Sequence, residues 1–588
     1  MPRIAVATAL AFSFVLSAQT QFLPIKQIHA GMHGVGRTVF SGSQISDFDV
    51  EILGVLENVG PKESLIIARL SGGPLEHTGV MQGMSGSPVY IDGKLIGAVA
   101  MAFPFSKDPI AGIRPIEDML QVAPPVTPQP APSHRQLALA ERDLTRGISR
   151  PQSAMAGDAR MVNIATPVSF GGFTAATLDA FAPQLRALGL EPRQGISAGS
   201  ETKPTMGNPA DVKPGSMISV QLMAGDMGMG ADGTVTYVDG SHLYAFGHRF
   251  LDVGATSLPF ARADVITLMP NVNTSFKLST AREWMGSISQ DRSTAISGEL
   301  GVRPPMVPMS LAVTRSSKAV EKYQMQMVND PLLSPLLLQM AVFSVIDRTE
   351  RTMGAATLRV TGELDFQNAP APVRLDNLYS ADNGTAAQVS LNTAIPAAYI
   401  LQSGFNSVKL SKVSINVEAF DEKRQFNIDG VTLSKRQVHP GDKLQIAVLL
   451  TGENGAETTR TVDYQVPIGA QPGQLYFTVS DASVANLIDF RQILQASPRS
   501  PRQLIDIVNE LHPNTKAYVR VWRADPAFQL EGTDLPAPPP SIALVLDGAA
   551  TNLQGVTSSR NSKLAEMEID GAGVVISGSK TVQVEVKE

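Results

Sequence analysis

The chain of 588 residues contains no cysteine. This absence excludes disulfide bonds, a cysteine nucleophile and metal sites built on thiolates. The eight histidines also give little support for a metal site. His29 and His33 have a spacing that zinc ligands use, but they lie in a glycine-rich stretch rather than on a helix. We therefore expect neither a metal site nor a cofactor, and side-chain packing has to stabilise the fold.

Basic stretches are also missing. The formal net charge is −6, and the lysines and arginines form no run or stripe along the chain. Nucleic acid is therefore not an expected partner. Aromatic residues are scattered, with two tryptophans in the whole chain, which disfavours a carbohydrate-binding β protein.

Apolar runs are short, and after the N-terminal segment none approaches the length that spans a bilayer. At the N-terminus, Arg3 precedes an apolar run over residues 4–16, and the small residues Ser17 and Ala18 follow. A positive charge, a short apolar core and a small-residue exit are typical of a signal peptide. We expect residues 1–18 to be removed and the protein to be exported to the periplasm or the cell exterior.

The most informative motif is Gly83-Met84-Ser85-Gly86-Ser87-Pro88. Two apolar runs follow it, and Asp92-Gly93 between them is a strong hairpin signal. Glycines on either side of Ser85 allow a sharp turn in which backbone N–H groups point into one concavity. This geometry suits a nucleophilic serine beside an oxyanion hole. The alternative interpretation is an ordinary loop of glycine, serine and proline.

The rest of the chain divides by composition, and strand patterns dominate it, so we expect a mainly β protein of several domains. A block over residues 22–122 ends at a proline-rich stretch, residues 123–153, that is typical of an extended linker. A second block, residues 154–359, contains two helical patterns. Alternating apolar residues over 360–588 predict a C-terminal β-sandwich-like region. One helix interrupts that region, with Ser500 as its N-cap.

Two blocks of the sequence resemble the SpoIVB-type serine peptidases. The first covers residues 48–120 and includes the Ser85 motif with its hairpin. The second covers residues 214–301 and includes Ala245-Phe246-Gly247-His248. The resemblance implies a chymotrypsin-like double β-barrel, assembled from the two blocks, that cleaves peptide bonds. In the family the histidine block comes first, whereas here it follows the serine block.

The resemblance also implies roles for individual residues. Ser85 would be the nucleophile and His248 the general base, while the amides of Gly83 and Ser85 would form the oxyanion hole. The family's aspartate falls at Ser71 in this chain, so the third triad member is missing. Either another carboxylate orients His248, or a Ser–His dyad works with weaker support, or the site is inactive.

The sequence thus favours an exported serine endopeptidase that acts on protein or peptide substrates by acyl transfer. The alternative is a weakly active or inactive pseudo-peptidase that serves as a binding or scaffold protein of the cell envelope. The missing aspartate and the large C-terminal β region favour this alternative. Reaction with a fluorophosphonate probe discriminates between the two, because labelling requires an activated serine.

Overall fold

A computed structural model describes residues 22–122, 161–195 and 205–588, with short gaps at 61, 104–105, 107, 316–319, 350–352, 406, 454, 494–499, 526, 531–532, 537, 551–555 and 560. The predicted signal peptide, residues 1–18, and the predicted linker, residues 123–153, lie outside the described residues. The fold is mainly β, with 54% strand and 18% helix, which confirms the predicted class. Within the described ranges, no helix is long and apolar enough to cross a membrane.

Six antiparallel strands form the first barrel. They are β1 (His33–Ser41), β2 (Gln44–Gly60), β3 (Glu63–Ser71), β4 (Pro88–Ile91), β5 (Lys94–Ala102) and β6 (Ile110–Pro115). Their order is β4-β1-β2-β3-β6-β5, and the pairing of β4 with β5 closes the ring. Two short helices, α1 (Leu75–Thr78) and α2 (Ile116–Leu120), flank it. Buried residues at alternate positions, such as Val50 and Ile52 on β2, fill the interior.

The predicted hairpin after the Ser85 motif is confirmed. Strands β4 and β5 pair antiparallel, and the two residues between them are Asp92 (φ 50°) and Gly93 (φ 74°). Positive φ at both positions is the backbone that Asp-Gly favours in a two-residue turn. The hairpin fixes where the Ser85 loop enters the barrel.

The second barrel follows the linker. The elements of this part are β7 (Val162–Asn163), β8 (Thr166–Gly171), α3 (Ala175–Ala187), β9 (Leu190–Gln194), β10 (Met217–Gly225), β11 (Gly228–Asp239), β12 (His242–Ala245), β13 (Gly254–Met269), β14 (Phe276–Arg292) and β15 (Ala295–Leu300). The strand order β10-β13-β14-β15-β12-β11 closes through the pairing of β10 with β11. The double barrel that the sequence predicts is therefore confirmed. Strand β7 belongs to the sheet of the first barrel, where it pairs with β5.

Further strands extend the sheet of the second barrel and carry two apolar helices. They are β16 (Met306–Arg315), β17 (Glu321–Val328), α4 (Leu333–Thr349), β18 (Met353–Phe366), β19 (Val373–Asn383), α5 (Thr385–Leu401) and β20 (Leu410–Phe420). Strand β20 runs parallel to β16 and antiparallel to β18. Helices α4 and α5 share the large hydrophobic cluster with the second barrel, as their apolar sequences require.

In the described residues the C-terminal region contains three sheets, two of which form a sandwich. The elements are β21 (Gln425–Leu433), β22 (Gln437–Val438), β23 (Lys443–Gly452), β24 (Glu457–Gln465), β25 (Gly473–Asp481), α6 (Ala482–Ile493), α7 (Pro501–Asn509), β26 (Lys516–Arg523), β27 (Ala527–Leu530), β28 (Thr533–Pro536), α8 (Pro540–Ala550), β29 (Val556–Ser559), β30 (Ser562–Asp570), β31 (Val575–Ser577) and β32 (Ser579–Val586). In the sandwich, a four-stranded and a five-stranded sheet share one apolar cluster, while β27, β28 and β29 form the small third sheet. Helix α7 begins at the predicted cap, where the Ser500 side chain accepts a hydrogen bond from the Gln503 N–H.

Candidate active site

Ser85 lies in a tight loop between α1 and β4, and two glycines set the path of this loop. Gly83 has φ +90° and Gly86 has φ +93°, values that residues with a side chain rarely adopt. A Cβ atom on Gly86 would lie 1.9 Å from the carbonyl oxygen of Thr234. Only glycine therefore lets the loop approach the second barrel this closely.

The backbone amides that the sequence assigned to an oxyanion hole are free of acceptors. In the described part of the chain, the N–H groups of Gly83 and Ser85 make no hydrogen bond. The neighbouring amides are paired: the Met84 N–H donates to the Met81 carbonyl at 3.2 Å, and the Gly86 N–H donates to the Val99 carbonyl at 2.7 Å. Two unpaired donors two residues apart can bind an anionic oxygen.

Strand β11 of the second barrel holds the Ser85 loop in place. Thr234 donates its backbone N–H to the carbonyl oxygen of Ser85 at 2.8 Å. Its hydroxyl donates to the carbonyl oxygen of Gly83 at 2.9 Å, and the Thr236 hydroxyl donates to that of Gly86 at 2.7 Å. All of these groups are buried. The loop of the first barrel is thus shaped by contacts from the second.

The same strand positions the turn that carries His248. The backbone N–H of Phe246 donates to the carbonyl oxygen of Thr234 at 3.2 Å. Phe246 (φ +71°) and Gly247 (φ +69°) both adopt left-handed backbone, which turns the chain sharply after β12. A Cβ atom on Gly247 would lie 3.1 Å from the Ala100 Cβ on β5. The histidine turn therefore packs directly on the first barrel.

The reactive atoms of the two predicted catalytic side chains are both buried, and neither has a hydrogen-bond partner. These atoms are Ser85 Oγ and His248 Nε2. No hydrogen bond joins them, although Thr234 bonds both the Ser85 carbonyl and the N–H of Phe246, two residues before His248. Catalytic hydrogen bonds are often long in unliganded enzymes and tighten only when substrate binds. Each side chain thus retains an unused hydrogen-bonding group.

A backbone carbonyl orients the imidazole of His248. Its Nδ1 lies 2.7 Å from the carbonyl oxygen of Arg249, and since a carbonyl only accepts, Nδ1 carries the proton. Nε2 is then the basic nitrogen of the neutral ring. Burial is the main cause that lowers the pKa of His248 to about 4; the Arg249 carbonyl opposes the shift, and the nearby positive charges of Arg114 and Arg249 contribute to it. The ring is neutral at pH 7.

No carboxylate accepts from His248 Nδ1 among the described residues. Ser71, which occupies the family's acid position, is exposed at the end of β3. Its partner across the ladder is Asp49, which is also exposed. The sequence leaves open another carboxylate that orients His248, a Ser–His dyad, or an inactive site. In the described part of this conformation, no other carboxylate orients His248.

Sequence reasoning missed Asp291, which organises the loop that follows His248. The buried carboxylate of Asp291, on β14, accepts the backbone N–H groups of Phe250 at 2.8 Å, Leu251 at 2.7 Å and Val253 at 3.3 Å. Burial raises its pKa to about 6, against the lowering effect of these three donors. Asp291 lies within the second block of the resemblance, residues 214–301, but nothing in the sequence indicates that its carboxylate binds these backbone donors.

A second missed group lies under the Ser85 loop. Lys277 is buried, and its Nζ donates to the Thr38 Oγ1 of the first barrel at 2.6 Å. A Cβ atom on Gly83 would lie 3.2 Å from the Lys277 Cδ. Burial lowers the pKa of Lys277 to about 7, although the buried Asp232 opposes the shift. Asp232, whose own pKa burial raises to about 6, accepts from Ser279 Oγ at 2.6 Å.

A cleft of about 650 Å³ opens beside the histidine. His248 and Phe250 line it together with residues 78–80, 101–103 and 161–166. Ser85 does not line it and is fully buried. In this conformation the cleft reaches His248 but not Ser85.

A cluster with the spacing of metal ligands lies in the C-terminal sandwich, far along the chain from Ser85. Asp489, His512 and Glu566 place their polar atoms within 4.8 Å of one another. Arg520 already occupies the cluster, with Nη2 at 2.7 Å from both carboxylates, and His512 Nε2 lies 2.6 Å from Glu566. Because Arg520 pairs with both acids, this group is a half-buried ion-pair network rather than a metal site.

Comparison with known proteins bears on the first barrel. Residues 15–120 match the family described as SpoIVB peptidase S55. No curated protein and no solved structure matches the chain. The matched segment includes Ser85 and the whole first barrel, whereas His248 lies outside it. Residues 15–120 are therefore similar to the SpoIVB-type serine peptidases, the family that the sequence motifs also resemble.

Proposed function

We propose that the protein is an exported serine endopeptidase in which Ser85 is the nucleophile and His248 the general base. The observation that carries the proposal is the double contact of Thr234. Its N–H binds the Ser85 carbonyl, and its own carbonyl binds the Phe246 N–H. A single residue thereby brings a serine loop with free amides next to a turn that presents a basic imidazole nitrogen.

Acyl transfer follows from these groups. Ser85 Oγ attacks the carbonyl carbon of the scissile peptide while its proton passes to His248 Nε2. The negative oxygen that forms accepts hydrogen bonds from the amides of Gly83 and Ser85. The imidazolium then gives its proton to the leaving amine, and the C–N bond breaks. Water, deprotonated by the same nitrogen, releases the acyl group.

The carbonyl of Arg249 performs part of the function that the aspartate has in a full triad. It selects the tautomer with Nδ1–H, which leaves Nε2 free as the base, and it fixes the plane of the ring. As a neutral acceptor, it stabilises the transient imidazolium less than a carboxylate would. We therefore expect a slow enzyme compared with peptidases that have a full triad.

The pseudo-peptidase is the second candidate, and two observations favour it. Ser85 is fully buried, and His248 has no carboxylate partner within the described residues. A protein that had lost activity would retain the barrels for binding. The two candidates differ in whether Ser85 reacts.

Labelling by a fluorophosphonate, read as a mass increase on the tryptic peptide that contains Ser85, tests the proposal. Ser85→Ala should abolish labelling. Ser87→Ala is the matched control, because Ser87 Oγ lies two residues away and is also buried without a partner. It should leave labelling intact. Labelling that persists in Ser85→Ala favours the pseudo-peptidase. So does a wild-type Ser85 that is not labelled even when the residues that bury it are displaced.

Export is a separate part of the proposal, and it rests on the sequence of residues 1–18. N-terminal sequencing of the mature protein from the producing cell should begin close to Gln19. Soluble cytoplasmic protein with Met1 intact would contradict it.

A further inference from the structure

One edge of β5 is shared by three partners that follow one another along the strand. The first half of β5 pairs with β4, from Lys94 opposite Ile91 to Ala98 opposite Pro88. Val99 comes next and bonds the Ser85 loop, since its carbonyl accepts the Gly86 N–H at 2.7 Å. Beyond this point β4 no longer covers the edge, and a different part of the chain takes its place.

That part is β7 with its following residue, and it runs antiparallel to β5. Val162 lies opposite Ala102 and Asn163 opposite Met101. The Ile164 N–H then donates to the Ala100 carbonyl at 3.0 Å. From Val162 to Ile164, each successive residue therefore lies opposite a β5 residue that is closer to Val99 and the Ser85 loop. The chain leaves the edge after Ile164, where the Ser85 loop begins.

The segment also lies in the cleft that His248 lines. Residues 161–165 line the same cleft as His248. Ile164 is buried, Ser85 is 0% exposed and His248 is 2% exposed. The side-chain oxygen of Asn163 is buried without a hydrogen-bond partner, so the segment fits the edge through its backbone rather than through its polar side chain.

We propose that residues 161–165 are an internal peptide ligand, which occupies the substrate edge of β5 and shields Ser85 until it is displaced. The inference rests on the proposed function. An edge strand with free backbone groups binds an extended peptide by adding it to the sheet, and its pockets select side chains. The ligand class is therefore an extended peptide with a branched aliphatic residue at the position of Ile164. A strand of two residues is short enough to exchange with such a peptide.

Three forms of the full chain test the proposal: wild type, Ile164→Pro and Ile164→Val. Proline removes the N–H that bonds Ala100 and blocks the pairing, whereas valine retains both the donor and a branched side chain. The readout is the rate at which a fluorophosphonate labels Ser85. We expect Ile164→Pro to react about tenfold faster than wild type, as the loss of one backbone hydrogen bond implies, and Ile164→Val to match wild type. An acetylated peptide with the sequence of residues 161–165 should slow the proline variant back toward the wild-type rate.

The outcomes separate the inference from the function on which it rests. Equal labelling rates in wild type and a folded Ile164→Pro overturn the internal ligand and leave the peptidase intact. If no form is labelled, the peptidase fails, and binding of the acetylated peptide to Ile164→Pro, measured by calorimetry, decides the ligand question by itself. If Ile164→Pro does not fold, Ile164→Asp replaces it, because a buried charge also expels the segment.

Discussion

Thr234 donates its backbone N–H to the carbonyl oxygen of Ser85 at 2.8 Å, across the boundary between the two barrels. Through this bond, the second barrel helps to hold the Ser85 loop in place. The bond is also the contact by which, in the proposed function, a serine and a histidine from separate blocks would share one site although their order along the chain is reversed. Chain order does not limit such a site, because the barrels are joined by contacts in space.

The Thr234 hydroxyl tests this coupling. Thr234→Val leaves the Gly83 carbonyl without its donor in a buried place, so we expect a loss of about 1–3 kcal/mol in unfolding free energy. Labelling of Ser85 should also slow, because Gly83 is one of the two donors of the proposed oxyanion hole. Thr357→Val is the control, since Thr357 is equally buried and donates to the Glu422 carbonyl at 2.7 Å. It should destabilise the protein similarly without changing the labelling rate.

Asp291 should affect the rate of Ser85 labelling, although it lies about forty residues after the loop that it holds. Asp291→Asn retains the shape of the side chain but places an NH₂ group against backbone donors, so the loop after His248 should lose its fixed path. We expect labelling to slow at least about tenfold, which is part of a general base's usual contribution. Asp330→Asn is the matched control, because Asp330 is a buried carboxylate that accepts the N–H groups of Leu332 and Leu333 at the start of α4. An equal rate in both variants would contradict a positioning role for Asp291.

His248 should titrate abnormally. Its pKa falls from 6.5 to about 4 because burial disfavours the imidazolium. The unfolded chain binds the proton first, so His248 destabilises the fold as the pH falls from about 6.5 to about 4, by up to about 3 kcal/mol. His248→Gln should remove this part of the pH dependence. NMR of the His248 ring, assigned from the same variant, should show the neutral form down to about pH 5, whereas a midpoint near 6.5 would show that the ring is solvated.

Gly86 should tolerate no side chain. Gly86→Ala would place a methyl group 1.9 Å from the Thr234 carbonyl oxygen at a φ of +93°. Strain and overpacking together should cost about 3–5 kcal/mol. Gly240→Ala has a positive φ of +59° but no atom within 4 Å, so it should cost about 1–2 kcal/mol. Thermal unfolding of the two variants compares them, and equal losses would mean that the loop can move away from β11.

Local signals predicted much of the fold. The Asp92-Gly93 turn, the cap at Ser500 and the alternating strands of the sandwich all depend on neighbours in sequence, and all occur where the patterns place them. The barrels themselves came from the resemblance. The parallel pairing of β16 with β20, which extends the second barrel's sheet to Phe420, joins segments about a hundred residues apart, and no local pattern reports it.

The site shows the same division. Ser85, Gly83 and His248 stood out because their glycine-rich surroundings are visible in the sequence. Thr234 and Lys277 act through contacts that form only when the two barrels meet, and Asp291 binds backbone groups about forty residues away along the chain. Residues 161–165 gave no signal, because a short apolar segment after a linker has no pattern of its own.

The rate of Ser85 labelling by a fluorophosphonate in wild type and in His248→Gln tests the central claim most directly, with each form also measured in the Ile164→Pro background. If the two side chains act as nucleophile and base, His248→Gln should slow labelling by about 10²–10⁴-fold in both backgrounds while the melting temperature stays within the range of folded variants. Unchanged labelling in His248→Gln, or no labelling of Ser85 in either background, would contradict a Ser85–His248 catalytic pair.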